Sequence, residues 1–169
     1  MQKTKNKDAG DIGEKEVVKF VLCPNCTKKL MLLPHNFPMY DVQCTGCTFR
    51  AKVKTNNCKP KNIILGAGYD IYEKVLKAGF LSPSLIVLFR WNSKQGLRRE
   101  IRFYPFVAKG NIQKYRLSNT ARRANYRMFL YVELDKIPFM VLHQSCDPLN
   151  RSIEESKTHE TKEKAKSNL

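Results

Sequence analysis

The chain has 169 residues, a length that suits one domain of ordinary size around a single hydrophobic core rather than two full domains. Its 31 Lys+Arg against 15 Asp+Glu give a net charge of +16, a footprint that points to phosphates and favours nucleic acid over an anionic membrane surface as partner. No apolar run approaches the roughly 18 residues that cross a bilayer, and the polar start MQKTKNKDAG lacks the apolar stretch of a secretory signal, so a cytoplasmic, reducing setting without membrane contact is expected, in which six cysteines argue for metal before disulfides.

Residues 1–10 are rich in Lys and Asn and read as a flexible basic N-terminus. Asp11 followed by Glu14 is a D-x-x-E capping signal, which predicts a helix from Asp11 through about Leu22 with Val17, Val18 and Val21 toward the core. A cysteine-bounded module follows at 23–47; its middle, LMLLPHNFPMY, is broken by Pro34 and Pro38 and predicts loop or short strand. Residues 48–54 alternate, with Phe49, Ala51 and Val53 on one side and Arg50, Lys52 and Lys54 on the other, the period of a strand.

The segment GAGYDIYEKVLKAG (66–79) predicts a helix with Ile71, Val75 and Leu76 inward and Gly79 as its stop. Strands are expected at 84–91, where LIVLF reads as buried, at 97–106 and at 128–137, with a basic helical insertion around SNTARRAN (118–125). Residues 11–150 would form one domain, and 151–169, charged and without aromatics, a disordered tail. Helices and strands in this order suit an α/β (α+β) class, a mixed sheet with helices packed on it.

Cys23-Pro-Asn-Cys26 and Cys44-Thr-Gly-Cys47 are two C-x2-C knuckles seventeen residues apart. Each aims two thiolates at one point, and two pairs complete the closed tetrahedral shell of structural Zn2+, whose binding free energy becomes folding free energy. With no open position such an ion does no chemistry. Iron–sulfur ligation is less favoured because nothing else suggests electron transfer. Cys58 and Cys146 have no partner at ligand spacing and read as free thiols.

Metal-dependent phosphodiester hydrolysis needs carboxylate oxygens for Mg2+, a polarised water and often a lysine. An acid and a lysine two apart on a strand share a face, so an E-x-K pair facing an Asp on the neighbouring strand makes such a site. Asp41 lies on the incoming arm of a hairpin whose outgoing arm carries Arg50, Lys52 and Lys54. The geometry fits, and the chemistry is one carboxylate short. Glu14 or Glu16 on the first helix, or Asp70, could supply the missing ligand; Glu14 as a plain cap is the competing reading.

The run CPNC, PMYDVQCTGC, FRAKVK, GAGYDIYEKV, NTARRANY and LDKIP resembles the N-terminal catalytic domain of the DpnI-like, Dam-replacing family of methylation-dependent type II restriction endonucleases, over roughly residues 13–139. The resemblance implies a PD-(D/E)xK restriction-endonuclease-like mixed sheet flanked by helices, with an inserted four-cysteine zinc knuckle. It further implies Mg2+-dependent hydrolysis of double-stranded DNA, with Dam-methylated GATC as the site class. On this likeness Cys23, Cys26, Cys44 and Cys47 match the zinc ligands, Asp41 the Mg2+-binding aspartate, and Lys52 the catalytic lysine of an F-E-x-K-x-K run. Arg50 stands where the family has its metal-binding acid, so the motif reads R-x-K; sliding by two gives K-x-K, with Lys52 and Lys54. This departure raises an alternative, a catalytically impaired zinc-containing DNA-binding protein that keeps the nuclease fold. The family's C-terminal winged helix has no counterpart in these residues, so either a separate DNA-reading domain or subunit or a truncated gene is expected.

Arg98, Arg99 and Arg102, with Arg122, Arg123 and Arg127, and Lys54 beside them, are the candidates for gripping DNA phosphates, each weighed against a solvated surface role. Tyr69, Tyr72 and Trp91 read as core more readily than as base-stacking platforms. His35, His143 and His159 lie outside any ligand spacing.

Overall fold

The structure, a computed structural model, describes residues 3–35, 37–116 and 127–148. Helix α1 (Lys3–Phe20) is followed by β1 (Leu30–Leu32), β2 (Val42–Cys44), β3 (Arg50–Asn56) and β4 (Ile64–Gly68). Helix α2 (Tyr69–Lys77) leads into β5 (Ser84–Ser93) and β6 (Gly96–Tyr104), and β7 (Ile112–Arg116), β8 (Arg127–Tyr131) and β9 (Met140–Pro148) complete the order.

Six strands form a mixed sheet in the order β1-β2-β3-β5-β6-β9, and β4-β8-β7 form a smaller antiparallel one. Only the β3/β5 pair of the large sheet is parallel, from Ala51↔Ser84 to Asn56↔Phe89, and β4 and α2 lie in the crossover between them. The LIVLF run of β5 is completely buried because both faces of the sheet are covered. Ile86 and Leu88 join Val53, Ile101, Phe103 and the Val17 and Val21 side chains of α1 on one face. Leu85, Val87 and Phe89 join Tyr72 of α2 and Phe129 and Tyr131 of the small sheet on the other. A mixed sheet flanked by helices, with an embedded four-cysteine cluster, is the architecture expected from the sequence.

Several local expectations change. Helix α1 begins at Lys3 rather than at Asp11, so Asp11 and Glu14 stand one turn apart inside a helix and the D-x-x-E pattern is not a cap. Gly13 lets α1 lie directly on β3: a Cβ there would come within 1.8 Å of Thr55 Oγ1. Residues 66–68 are strand, and α2 starts only at Tyr69, which turns Tyr72 inward and leaves Ile71 51% exposed. Gly66 faces the Phe129 ring so closely that a Cβ would meet it at 2.2 Å. Gly79, at φ +84°, stops α2 as expected. The strand expected at 128–137 ends at Tyr131, because Glu133 takes a left-handed conformation (φ 55°) that starts a short 3-10 turn. Strands β7 and β9 had no clear sequence signal. The expected insertion at 118–125, with Arg122 and Arg123, and the expected tail at 151–169 lie outside the described residues.

Candidate functional site

The β2/β3 pairing ends at Val42↔Ala51, and Asp41 stands at that end. Its backbone is held on both sides, by Asp41 N–H to Ala51 O (3.0 Å) and Leu33 N–H to Asp41 O (2.8 Å). Its carboxylate continues the ladder in place of backbone: Val53 N–H donates to Oδ2 at 2.7 Å. Lys52 Nζ donates to Oδ1, also at 2.7 Å. Lys52 and Asp41 are only 19% and 13% exposed, so this ion pair is far less screened than one on the surface.

Glu14 reaches the same place from α1. Asp11, Glu14 and Lys15 line one cavity of about 440 Å³ with Leu32, His35, Phe37, Asp41 and Lys52. Burial, reinforced by Asp41 and Asp11 and opposed by Lys52 and Lys54, pushes the Glu14 carboxyl up to about 7. Lys54, one pleat along from Lys52, donates to Gly66 O at 2.7 Å. Burial and the Lys52 charge, partly offset by Asp41 and Glu14, lower its ammonium to about 8. Two carboxylates and two lysines therefore feel one another's charge at one locus, a clustering of perturbed groups characteristic of functional sites.

The other candidates lie elsewhere. Arg50 is exposed, with its guanidinium over the Phe37 ring at 5.8 Å, and lines a different cavity with Tyr40, Gln43, Cys44 and Cys47. Lys52, not Arg50, is the basic residue against Asp41. Glu16 faces away from the cluster and is taken by Arg90 (3.1 Å) and Arg99 (3.4 Å). Arg99 also pairs with Asp147, so it is neutralised within the fold rather than presented to phosphate. Arg102 pairs with Glu100 at 2.5 Å and covers the Phe139 ring; Arg98 is bonded to Gln95. Asp70 is paired with Arg127. Trp91 packs on the core face that holds Tyr72, in keeping with a packing role. His35, outside any ligand spacing in the sequence, lines the cavity, and so does Lys15, which the sequence did not single out. The spacing of Asp11, Glu14 and Lys15 on one helix face was a signal that could have found the wall, had the helix been started early enough.

The four knuckle cysteines converge as the doubled spacing requires. Their Sγ atoms all lie within 4.8 Å of one another, with Cys26 and Cys44 at 3.3 Å and Cys23 and Cys47 at 3.6 Å. A tetrahedral shell with Zn–S near 2.3 Å has S···S edges of about 3.8 Å, so the cluster fits one zinc ion. Gly46 N–H donates to Cys44 Sγ at 3.2 Å; burial opposes ionisation of that thiol, but this donor and the neighbouring thiols outweigh it and bring it down to about 7. The cluster ties the start of β1 to the β2/β3 turn, and that hairpin carries Asp41 and Lys52.

No helix among the described residues is long and apolar enough to cross a membrane. The sequence profile described as DpnI, Dam-replacing family, matches residues 1–164. No curated protein matches the chain.

Proposed function

The chain belongs to the DpnI Dam-replacing family, and from that premise we propose that it is a restriction-type endonuclease acting on double-stranded DNA, with hydrolysis at the Glu14–Asp41–Lys52 cavity. The observation that carries the proposal is the convergence of Glu14, from α1, with Asp41 and Lys52, from the hairpin, on one cavity wall. On this reading the helix supplies the carboxylate that the strand motif lacks.

Two carboxylates suit Mg2+, which is commonly held by one or two of them while water and substrate phosphate fill the remaining positions. Glu14 and Asp41 would hold it, and when bound it supplies charge stabilisation at the phosphoryl oxygens and an acidified water. Asp41 is fixed for this role by Val53 N–H and its own two backbone bonds. Lys52 offers a cation to the charge that develops on the phosphate. Lys52 is also the lysine placed to assist the attacking water, while Lys54, buried and anchored on Gly66 O, adds a second positive charge behind it. The four cysteines would hold structural zinc and keep the hairpin in register.

The family's methylation dependence extends the proposal to Dam-methylated GATC sites, read with the help of a separate DNA-reading domain or subunit. One observation favours a second reading, a DNA-binding protein with impaired catalysis: the Lys52 ammonium already engages Asp41, and Lys54 adds a second positive charge beside it. Cleavage of Dam-methylated and unmethylated plasmid by wild type and Asp41→Asn separates the two. Divalent-dependent cutting lost in Asp41→Asn supports the endonuclease; DNA binding without cutting supports the second reading.

A further inference from the structure

Lys52 stands in an unusual position for a lysine that only assists a reaction. Its ammonium is bonded directly to Asp41 Oδ1, while Oδ2 is taken by the Val53 N–H, so both oxygens of the better-fixed carboxylate have partners before any ion arrives. The cluster is also balanced within itself: Asp11, Glu14 and Asp41 face Lys15, Lys52 and Lys54. A divalent ion is attracted by an excess of negative charge, and this wall offers none. A like-charged ammonium at hydrogen-bond distance from the ligand oxygen opposes such an ion further.

We propose that Lys52 is the resident counter-ion of this site, so that its ammonium and a divalent cation exclude one another at Asp41 and DNA phosphate is what draws the ammonium away. The lysine stem is flexible and its ammonium carries three donors, so it can leave Asp41 for a phosphate oxygen without backbone movement. A duplex laid over the cavity with a phosphate reaching into it brings the negative charge that the wall lacks. Metal loading and DNA binding then assist each other, and by linkage the assistance is equal in both directions. The inference rests on reading the Glu14–Asp41–Lys52 cavity as the metal site, but its test does not depend on cleavage.

The experiment is titration of the zinc-loaded, full-length protein with Mn2+, read by the electron paramagnetic resonance of free Mn2+. It compares wild type, Lys52→Gln and Lys52→Gln/Asp41→Asn, with and without a short duplex whose own Mn2+ binding is subtracted. Without DNA, Lys52→Gln should bind Mn2+ at least tenfold more tightly than wild type, and the double variant should lose that gain. With DNA, wild type should tighten by a similar factor and Lys52→Gln should change little. Equal Mn2+ affinity in wild type and Lys52→Gln would overturn the proposal. Should Lys52→Gln fold poorly, the wild-type arm decides alone: Mn2+ affinity unchanged by duplex overturns it, and tightening supports it. Mn2+ binding as described in a protein that cuts no DNA would refute the endonuclease reading and leave the counter-ion role standing.

Discussion

Lys52 Nζ and Asp41 Oδ1 are 2.7 Å apart across the mouth of the β2/β3 hairpin, and both side chains are largely withdrawn from water. Removing one partner of such a pair leaves the other charge desolvated and unpaired, which costs more than the net worth of the pair. Asp41→Ala should therefore destabilise the protein by about 2 kcal/mol, less than for a fully enclosed pair because some solvent reaches the site. Urea unfolding at neutral pH measures it. Asp41→Ala/Lys52→Met should recover part of the loss, and a double variant no more stable than the single one would show that the two groups are not coupled.

Glu14 offers a pH test. Its carboxyl is raised from 4.5 to about 7 in the folded chain, mainly by burial and then by Asp41. Folding therefore favours the protonated form: this contribution to stability is full below about 4.5 and is lost as pH rises through about 7. Glu14→Gln should match wild type near pH 4.5 and exceed it at pH 8 by about 1 kcal/mol, a figure reduced because the side chain is partly solvated. Equal stability of the two proteins at pH 8 would mean that Glu14 is not held in the wall as described.

Arg50 and Lys52 can be told apart by substitution. An acid at position 52 would face Asp41 and Glu14 with Lys54 two residues on, restoring an E-x-K order on the strand; an acid at position 50 would sit over Phe37, by the cysteines. Lys52→Glu should raise Mn2+ affinity tenfold or more, and Arg50→Glu should leave it within about twofold. Calorimetric titration of both variants checks this.

The cysteine cluster predicts a coupled loss of metal and fold. Cys44→Ser should release about one zinc per chain and unfold the β2/β3 hairpin, since the ion's binding free energy stabilises that segment. Zinc content by atomic absorption and amide exchange across 42–56 read the two effects. Unchanged zinc with unchanged protection would refute the assignment.

Gly13 fixes how closely α1, and with it Glu14, approaches β3. Gly13→Ala would set a methyl against Thr55 Oγ1 and Cβ, at 1.8 and 2.8 Å, and should cost about 1–3 kcal/mol despite the better helix propensity of alanine. Thermal denaturation tests the sign; a stabilised variant would mean that α1 does not pack there.

What could be read in the sequence follows from how local each signal is. The doubled C-x2-C spacing and the alternation of 49–54 are set by neighbours in the chain, and both are found in the structure. The inward valines of α1 are also found, although the helix start is not. Asp11 and Glu14 imitate a capping box because nothing local distinguishes a cap from two acids one turn apart on a helix face. The part that Glu14 plays depends on β3 lying beneath Gly13, a contact made across more than forty residues of sequence. Tyr72 replaced Ile71 in the core because 66–68 belong to β4, which pairs with β8 across an irregularity between Leu65 and Gly68, and a glycine-rich run does not announce that. MVLHQSCDP became β9 through pairing with β6, without the alternation of a half-buried strand. The arginines were visible as charge, but only the fold shows Arg99 spent on Glu16 and Asp147.

The most direct measurement is cleavage of Dam-methylated and unmethylated plasmid by purified wild type and Asp41→Asn, with Mg2+ or Mn2+. The account predicts that wild type cuts the methylated plasmid and that Asp41→Asn is slower by about 100-fold or more, while its DNA binding is retained. Wild type that binds the plasmid and leaves it intact under both ions would contradict it.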